Sequence, residues 1–264
     1  MTDVLDLIPP GALLARPDLA EQALEGLVRA QAYRAVEPMH CRVAVADLSS
    51  DADARIDQLL FGEAFDVLER RDGRAWGRSR RDGVVGWVVL DNLAAGAPLP
   101  TRRVASVDAA LPLNALVAAD AAGVADAVLE PIGAFESDPA AVAERLLGRP
   151  HALGARSSIE TDCSGLVQQA LLACGRAGPR RSHDQAELGC GVEAAAARRG
   201  DIVVWLAPPG GDHDWTGHSA LMVDTERVIH STGARGGVVV EPLGEVEARL
   251  VAEGFASALF RRII

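Results

Sequence analysis

The sequence of 264 residues contains no lysine; all 26 basic residues are arginines. A catalytic lysine, a Schiff base and a phosphate-loop lysine are therefore excluded. Positive charge is also outnumbered, 26 arginines against 37 acidic residues, for a formal net charge of −11. Nucleic acid and anionic membrane surfaces both select basic patches, so neither is expected as the main partner. No apolar run approaches bilayer-spanning length. The opening Met1-Thr2-Asp3-Val4-Leu5-Asp6 lacks the basic n-region and the unbroken apolar h-region of a secretory signal. Cysteine is scarce, and Cys41, Cys163, Cys174 and Cys190 are too few in this length to form a disulfide framework. A cytoplasmic protein is expected.

What is present can fill one large core or two modest ones: 49% of residues are hydrophobic and 24% charged. Residues 1–37 are acidic and rich in Pro and Ala. Leu19, Ala23, Leu24 and Leu27 recur at helical spacing behind Pro17, which predicts one short helix from Asp18 to Ala32. From 38 to 95 the pattern shortens and alternates. Asp72-Gly73 and Asp82-Gly83 supply hairpin turns between the runs, predicting a small β-barrel of four or five strands. Residues 96–137 begin with a Gly/Pro/Ala stretch and read as a linker or a degenerate second module. From 138 to 264 helices come first and an antiparallel sheet follows, an α+β order. Asp138-Pro139 opens a compact helix that ends at Gly148, and strands are predicted at 201–206, 218–223, 227–231, 238–241 and 256–264.

One stretch carries the chemistry. In Thr161 to Gly175, Leu166, Val167, Ala170, Leu171 and Cys174 keep helical spacing and Gly175 stops the helix. Cys163 thus stands at the first turn, where unpaired amides and the helix dipole favour a thiolate. A cysteine nucleophile needs an imidazole to take its proton and a third group to orient that imidazole. His218 and His230 fall in strand-like runs on either side of the turn Asp224-Thr225-Glu226-Arg227, so a hairpin would set them side by side. A metal site built from His213, His218 and His230 is the rival. Its His-x4-His spacing is not a usual zinc pattern and no C-x-x-C accompanies it, so no metal is expected.

Leu60-Phe61-Gly62-Glu63, Asp72-Gly73-Arg74-Ala75-Trp76 and Gly83-Val84-Val85-Gly86-Trp87-Val88 resemble a bacterial SH3-like domain. Asp162-Cys163-Ser164-Gly165-Leu166-Val167-Gln168, Arg199-Gly200-Asp201-Ile202-Val203-Val204-Trp205, Gly217-His218 and Ile229-His230 resemble the NlpC family of cell-wall cysteine peptidases. This resemblance implies a papain-like domain, with helices packed on an antiparallel sheet, behind the SH3-like barrel. It implies Cys163 as nucleophile, His218 as general base and acid, and His230 as the orienting residue, with no cofactor. The domain order is similar to that of the subgroup that cuts the γ-D-glutamyl–diamino acid bond of murein peptides during cytoplasmic recycling. By the same resemblance Glu63, Asp162, Ser164 and Ser182 would bind the substrate's N-terminal amine; Glu63 and Asp162 also read simply as a turn residue and a helix cap.

Other positions depart from that pattern. Pro150-His151-Ala152-Leu153-Gly154-Ala155 replaces Pro-Tyr-x-Trp-Gly-Gly, Arg180-Arg181-Ser182 replaces Arg-Asp-Ser, and Val84 replaces a barrel tyrosine. These changes fall on recognition, so an altered substrate preference is expected. The alternatives are a weakened murein-peptide-binding protein and another thiol-dependent amidase or acyltransferase on the same fold.

Overall fold

The computed structural model describes residues 13–118, 128–208 and 216–263. The chain divides into two compact units, Met1–Val104 with Ala110–Glu130, and Ala105–Ala109 with Pro131–Ile264.

The first unit opens with β1 (Leu19–Glu21) paired in parallel with β2 (Ala32–Arg34), the two joined through a 3-10 turn at Gln22–Leu24. The helix expected from Asp18 to Ala32 is therefore not formed. Gly26, in the middle of the expected helix, takes φ +81°, a left-handed conformation that stops helical propagation. Leu27, part of the supposed apolar stripe, is 64% exposed. What is buried is Leu14 and Leu19, which pack with Leu68, Trp76, Val85 and Trp87. Arg16 lies 4.0 Å over the Trp76 ring and pairs with Glu69. This long-range packing outweighs the modest local helix propensity of the segment.

Seven strands make one antiparallel sheet in this unit: β3 (Glu37–Cys41), β4 (Val45–Ser49), β5 (Arg55–Leu60), β6 (Ala64–Arg71), β7 (Arg74–Ser79), β8 (Val85–Val89) and β9 (Leu93–Ala95). Their order is β5-β4-β8-β7-β6-β3-β9. Asp72 and Gly73, both at positive φ, close the β6–β7 hairpin as their dipeptide predicts. Leu48, Leu59, Phe65, Val67, Ala75 and Val88 fill one core of the sheet. The expected four or five strands become seven as β3 and β9 extend the sheet beyond β6. Within 96–137 a second, three-stranded sheet is built from β10 (Pro100–Val104), β11 (Leu116–Ala118) and β12 (Leu129–Pro131), with β10 in the centre.

The second unit begins with α1 (Pro139–Glu144), where the Asp138 carboxylate caps the amides of Ala140 and Ala141. It continues with α2 (Cys163–Ala173) and α3 (Ser182–Gln185). Its sheet contains β13 (Cys190–Val192), β14 (Ile202–Leu206), β15 (Gly217–Met222), β16 (Arg227–Thr232), β17 (Gly237–Pro242) and β18 (Leu259–Arg262), in the order β13-β18-β14-β15-β16-β17. Between β17 and β18 lies α4 (Leu243–Ala252), a helix that the strand pattern did not anticipate. Val246 and Leu250 of α4 pack with Val203, Trp205, Ala220, Met222, Val228 and Phe260 on one face of the sheet. Strand alternation places His218 with Ala220 and Met222, and His230 with Val228, on that face. Among the described residues, no helix is long and apolar enough to cross a membrane.

Candidate active site

The Asp162 carboxylate caps α2 by accepting the Gly165 amide at 2.8 Å and holds the preceding loop through the Gly154 amide at 2.9 Å. Glycine is required at 165 because a Cβ there would stand 2.3 Å from the carbonyl oxygen of Ala155. The loop before Cys163 thus presses directly on the first turn of the helix. Gly165→Ala should cost about 1–3 kcal/mol of stability in urea unfolding, and an unchanged midpoint would show that the loop shifts freely.

This cap fixes Cys163, half-buried, at the head of α2. The β15–β16 ladder runs only from Met222↔Val228 to Leu221↔Ile229, so the start of β15 is not paired with β16. The Ser219 backbone amide turns instead to the thiol sulfur, which also meets the Ser164 amide. Burial pushes the thiol up to about 11, and the Asp162 charge acts in the same direction. The Ser219 amide, Arg180 and the Ser164 amide oppose this and do not prevail. The helix start that favours a thiolate is present, but burial acts against it more strongly and shifts the balance toward the protonated thiol.

The two strand histidines come together as the hairpin predicted. Nε2 of His218 lies 2.7 Å from Nδ1 of His230, and the rings meet edge-on at 88° with centroids 5.0 Å apart. Trp205, opposite His218 in register, holds its ring at a centroid distance of 5.9 Å. Burial holds His218 well below the usual imidazole range, reinforced by the neighbouring His230 and His151. Burial also lowers His230, although Glu241 works against it. The same burial thus favours the neutral forms of both the Cys163 thiol and the His218 imidazole.

Three further residues surround the pair that were not read from the sequence. Oε2 of Glu241 lies 2.8 Å from Nε2 of fully buried His230. Arg235 donates to Oε1 at 2.8 and 3.0 Å, and Arg249 donates to Oε2 at 3.0 Å and to Oε1 at 3.2 Å. Burial alone would raise this carboxyl, but Arg249, Arg235 and His230 bring it down to about 2. His151 is a different neighbour. Its Nδ1 lies 3.0 Å from Ser231 Oγ, which donates to the Thr161 carbonyl at 2.7 Å, so the substituted loop is tied to β16.

The residues expected to bind substrate are largely engaged with protein. Both Asp162 oxygens accept from buried Arg180, at 3.0 and 2.6 Å, and Arg180 also donates to Ser164 Oγ at 2.9 Å. Asp162 is thus a helix cap and an ion-pair partner. Ser182 starts α3 buried, its Cβ 3.2 Å from where a Gly217 side chain would begin. Arg181, between Arg180 and Ser182 in sequence, is half-buried. Glu63, in the first unit, is fully buried; it accepts the Leu60 amide at 3.0 Å and lies 3.6 Å from Arg81, as a turn residue would. His213 and the loop around it lie outside the described residues. Among the described residues no group of three or more His, Cys, Asp or Glu is placed to hold a metal ion.

Residues 148–250 match the model of the NlpC/P60 family, and residues 48–93 match that of the bacterial dipeptidyl-peptidase Sh3 domain. The peptidoglycan endopeptidase RipB of Mycobacterium tuberculosis is 34% identical over 87 residues, which span 33% of this chain and 34% of RipB. The crystal structure of an NlpC/P60 family protein from Bacillus cereus superposes with a TM-score of 0.70 over 85% of this chain and 99% of that one, at 16% identity. This last likeness is one of fold, and it is the papain-like arrangement of helices on an antiparallel sheet.

Proposed function

We propose that this chain, which carries an NlpC/P60 domain behind a bacterial Sh3 domain, is a cysteine peptidase that hydrolyses the γ-D-glutamyl–diamino acid bond of murein peptides during their recycling. The observation that carries this reading is the half-buried Cys163 thiol, met by the Ser164 amide and by the amide of Ser219, the residue that follows His218 on β15, together with the hydrogen-bonded His218–His230 pair. The 34% identity to a peptidoglycan endopeptidase supports the substrate class, and the Sh3–NlpC order supports the particular bond.

Because the resting pair is neutral, catalysis begins with proton transfer. His218 takes the Cys163 proton as the sulfur attacks the amide carbonyl, so thiolate and imidazolium form together as the substrate closes the site. The backbone amides at the head of α2 stabilise the tetrahedral oxyanion. His218 then returns its proton to the leaving amine, and a water it deprotonates releases the acyl-enzyme. With Asp162 neutralised by Arg180, and Arg181 beside Ser182, recognition of a free N-terminal L-Ala is weakened and longer or N-blocked peptides gain relative to it.

Incubation with L-Ala-γ-D-Glu-meso-diaminopimelate should release L-Ala-D-Glu, detected by mass spectrometry against a Cys163→Ala blank. Absence of cleavage of this peptide and of its N-extended relatives by the wild type would refute the peptidase reading.

A further inference from the structure

Hydrogen bonding from the nucleophile's base does not end at the second histidine. Glu241, near the end of β17, faces His230 Nε2 at 2.8 Å. Arg235, from the β16–β17 turn, and Arg249, from α4, place four N–H contacts of 2.8 to 3.2 Å on its two oxygens. Between two guanidiniums the carboxyl is ionised, and an ionised carboxylate only accepts.

The protons downstream are fixed by that one fact. Opposite an acceptor-only group, His230 must carry its proton on Nε2. A neutral imidazole has one N–H, so His230 Nδ1 is a bare acceptor. His218 Nε2, 2.7 Å away, must then be a donor. The single proton of neutral His218 is thus placed on Nε2, and Nδ1 is left as the lone pair that can accept from Cys163.

We infer that Glu241 is a positioning residue for the peptidase reaction: acting through His230, it sets the tautomers of both histidines and so makes Nδ1 of His218 the basic atom. It touches neither substrate nor sulfur. The two arginines make the assignment one-directional. With glutamine at 241, both guanidiniums would compete for its one oxygen, and its NH2 would face His230. Every donor and acceptor along the line would then reverse, and His218 would present an N–H to the thiol.

This inference rests on the peptidase reading only for its kinetic arm. In resting protein carrying 15N-labelled histidine, NMR should show the bare nitrogen at Nδ1 in both His218 and His230. In Glu241→Gln it should move to Nε2 in both rings. On a cleaved murein tripeptide, kcat should fall by ~10²-fold or more while KM stays within about twofold. A wild-type spectrum with the proton on Nδ1 of His218 overturns the inference even if the variant does not fold. So does a Glu241→Gln protein with unchanged tautomers and unchanged kcat. If the tautomers switch as expected but the wild type cleaves no murein peptide, Glu241 keeps its role and the substrate assignment falls.

Discussion

Cys163→Ala should lower kcat for the murein tripeptide roughly 10⁶-fold, and His218→Ala should come within about tenfold of the same residual rate. On the proposed mechanism the two changes converge because the residues act as one unit. A thiol held at about 11 has almost no nucleophile without its base, and a base without the thiol has nothing to activate. The protonation state adds a sharper expectation. Thiolate content rises about tenfold per pH unit below the thiol's own value. Alkylation of Cys163 in the free protein, followed at the peptide level to separate it from exposed Cys190, should therefore climb steadily from about pH 6 to about pH 9 without levelling. A plateau beginning near neutral pH would reveal a standing thiolate–imidazolium pair and contradict the neutral resting state. Equal activity of Cys163→Ala and wild type would remove the mechanism outright.

Arg180→Met should destabilise the second unit by about 3–5 kcal/mol, the range for removing one partner of a buried ion pair. The Asp162 and Arg180 side chains are only 10% and 5% exposed. Without the guanidinium, Asp162 keeps its charge in a site that water barely reaches. The double change Asp162→Asn with Arg180→Met should recover most of the loss, because no charge is then stranded. Urea unfolding, with hydrogen exchange used to assign the transition to this unit, measures both. A single-variant cost under about 1 kcal/mol would mean that the amides of Gly154 and Gly165 satisfy the carboxylate unaided. Arg180 also eases ionisation of Cys163, so the single variant should be alkylated more slowly as well.

Legibility in the sequence followed locality. Asp162 and Gly175 bracket α2 because a capping side chain and a left-handed glycine act within one turn of chain. His218 and His230 were readable together because a short turn joins their strands. Glu241 was not readable by the same route: its role depends on arginines from a turn and from α4, and only the folded sheet assembles those three pieces. Leu243, Val246 and Leu250 keep an i, i+3, i+7 spacing, but α4 falls between the runs at 238–241 and 256–264 and was not read from the sequence. At the N-terminus a genuine periodicity misled, since the helical stripe there was overridden by packing on Trp76 and Trp87. The ionisation of Cys163 was beyond sequence reading in a different sense. The helix start favours a thiolate and the surrounding protein disfavours it, and only the degree of burial decides between them.

That protonated sulfur has a consequence for survival of the protein. Peroxide oxidises thiolates far faster than thiols, and overoxidised cysteine is not recovered. On the proposed mechanism, a nucleophile that becomes an anion only when substrate approaches confines its exposure to oxidative loss to the moments of turnover. An idle molecule should therefore outlast a working one under the same dose of peroxide.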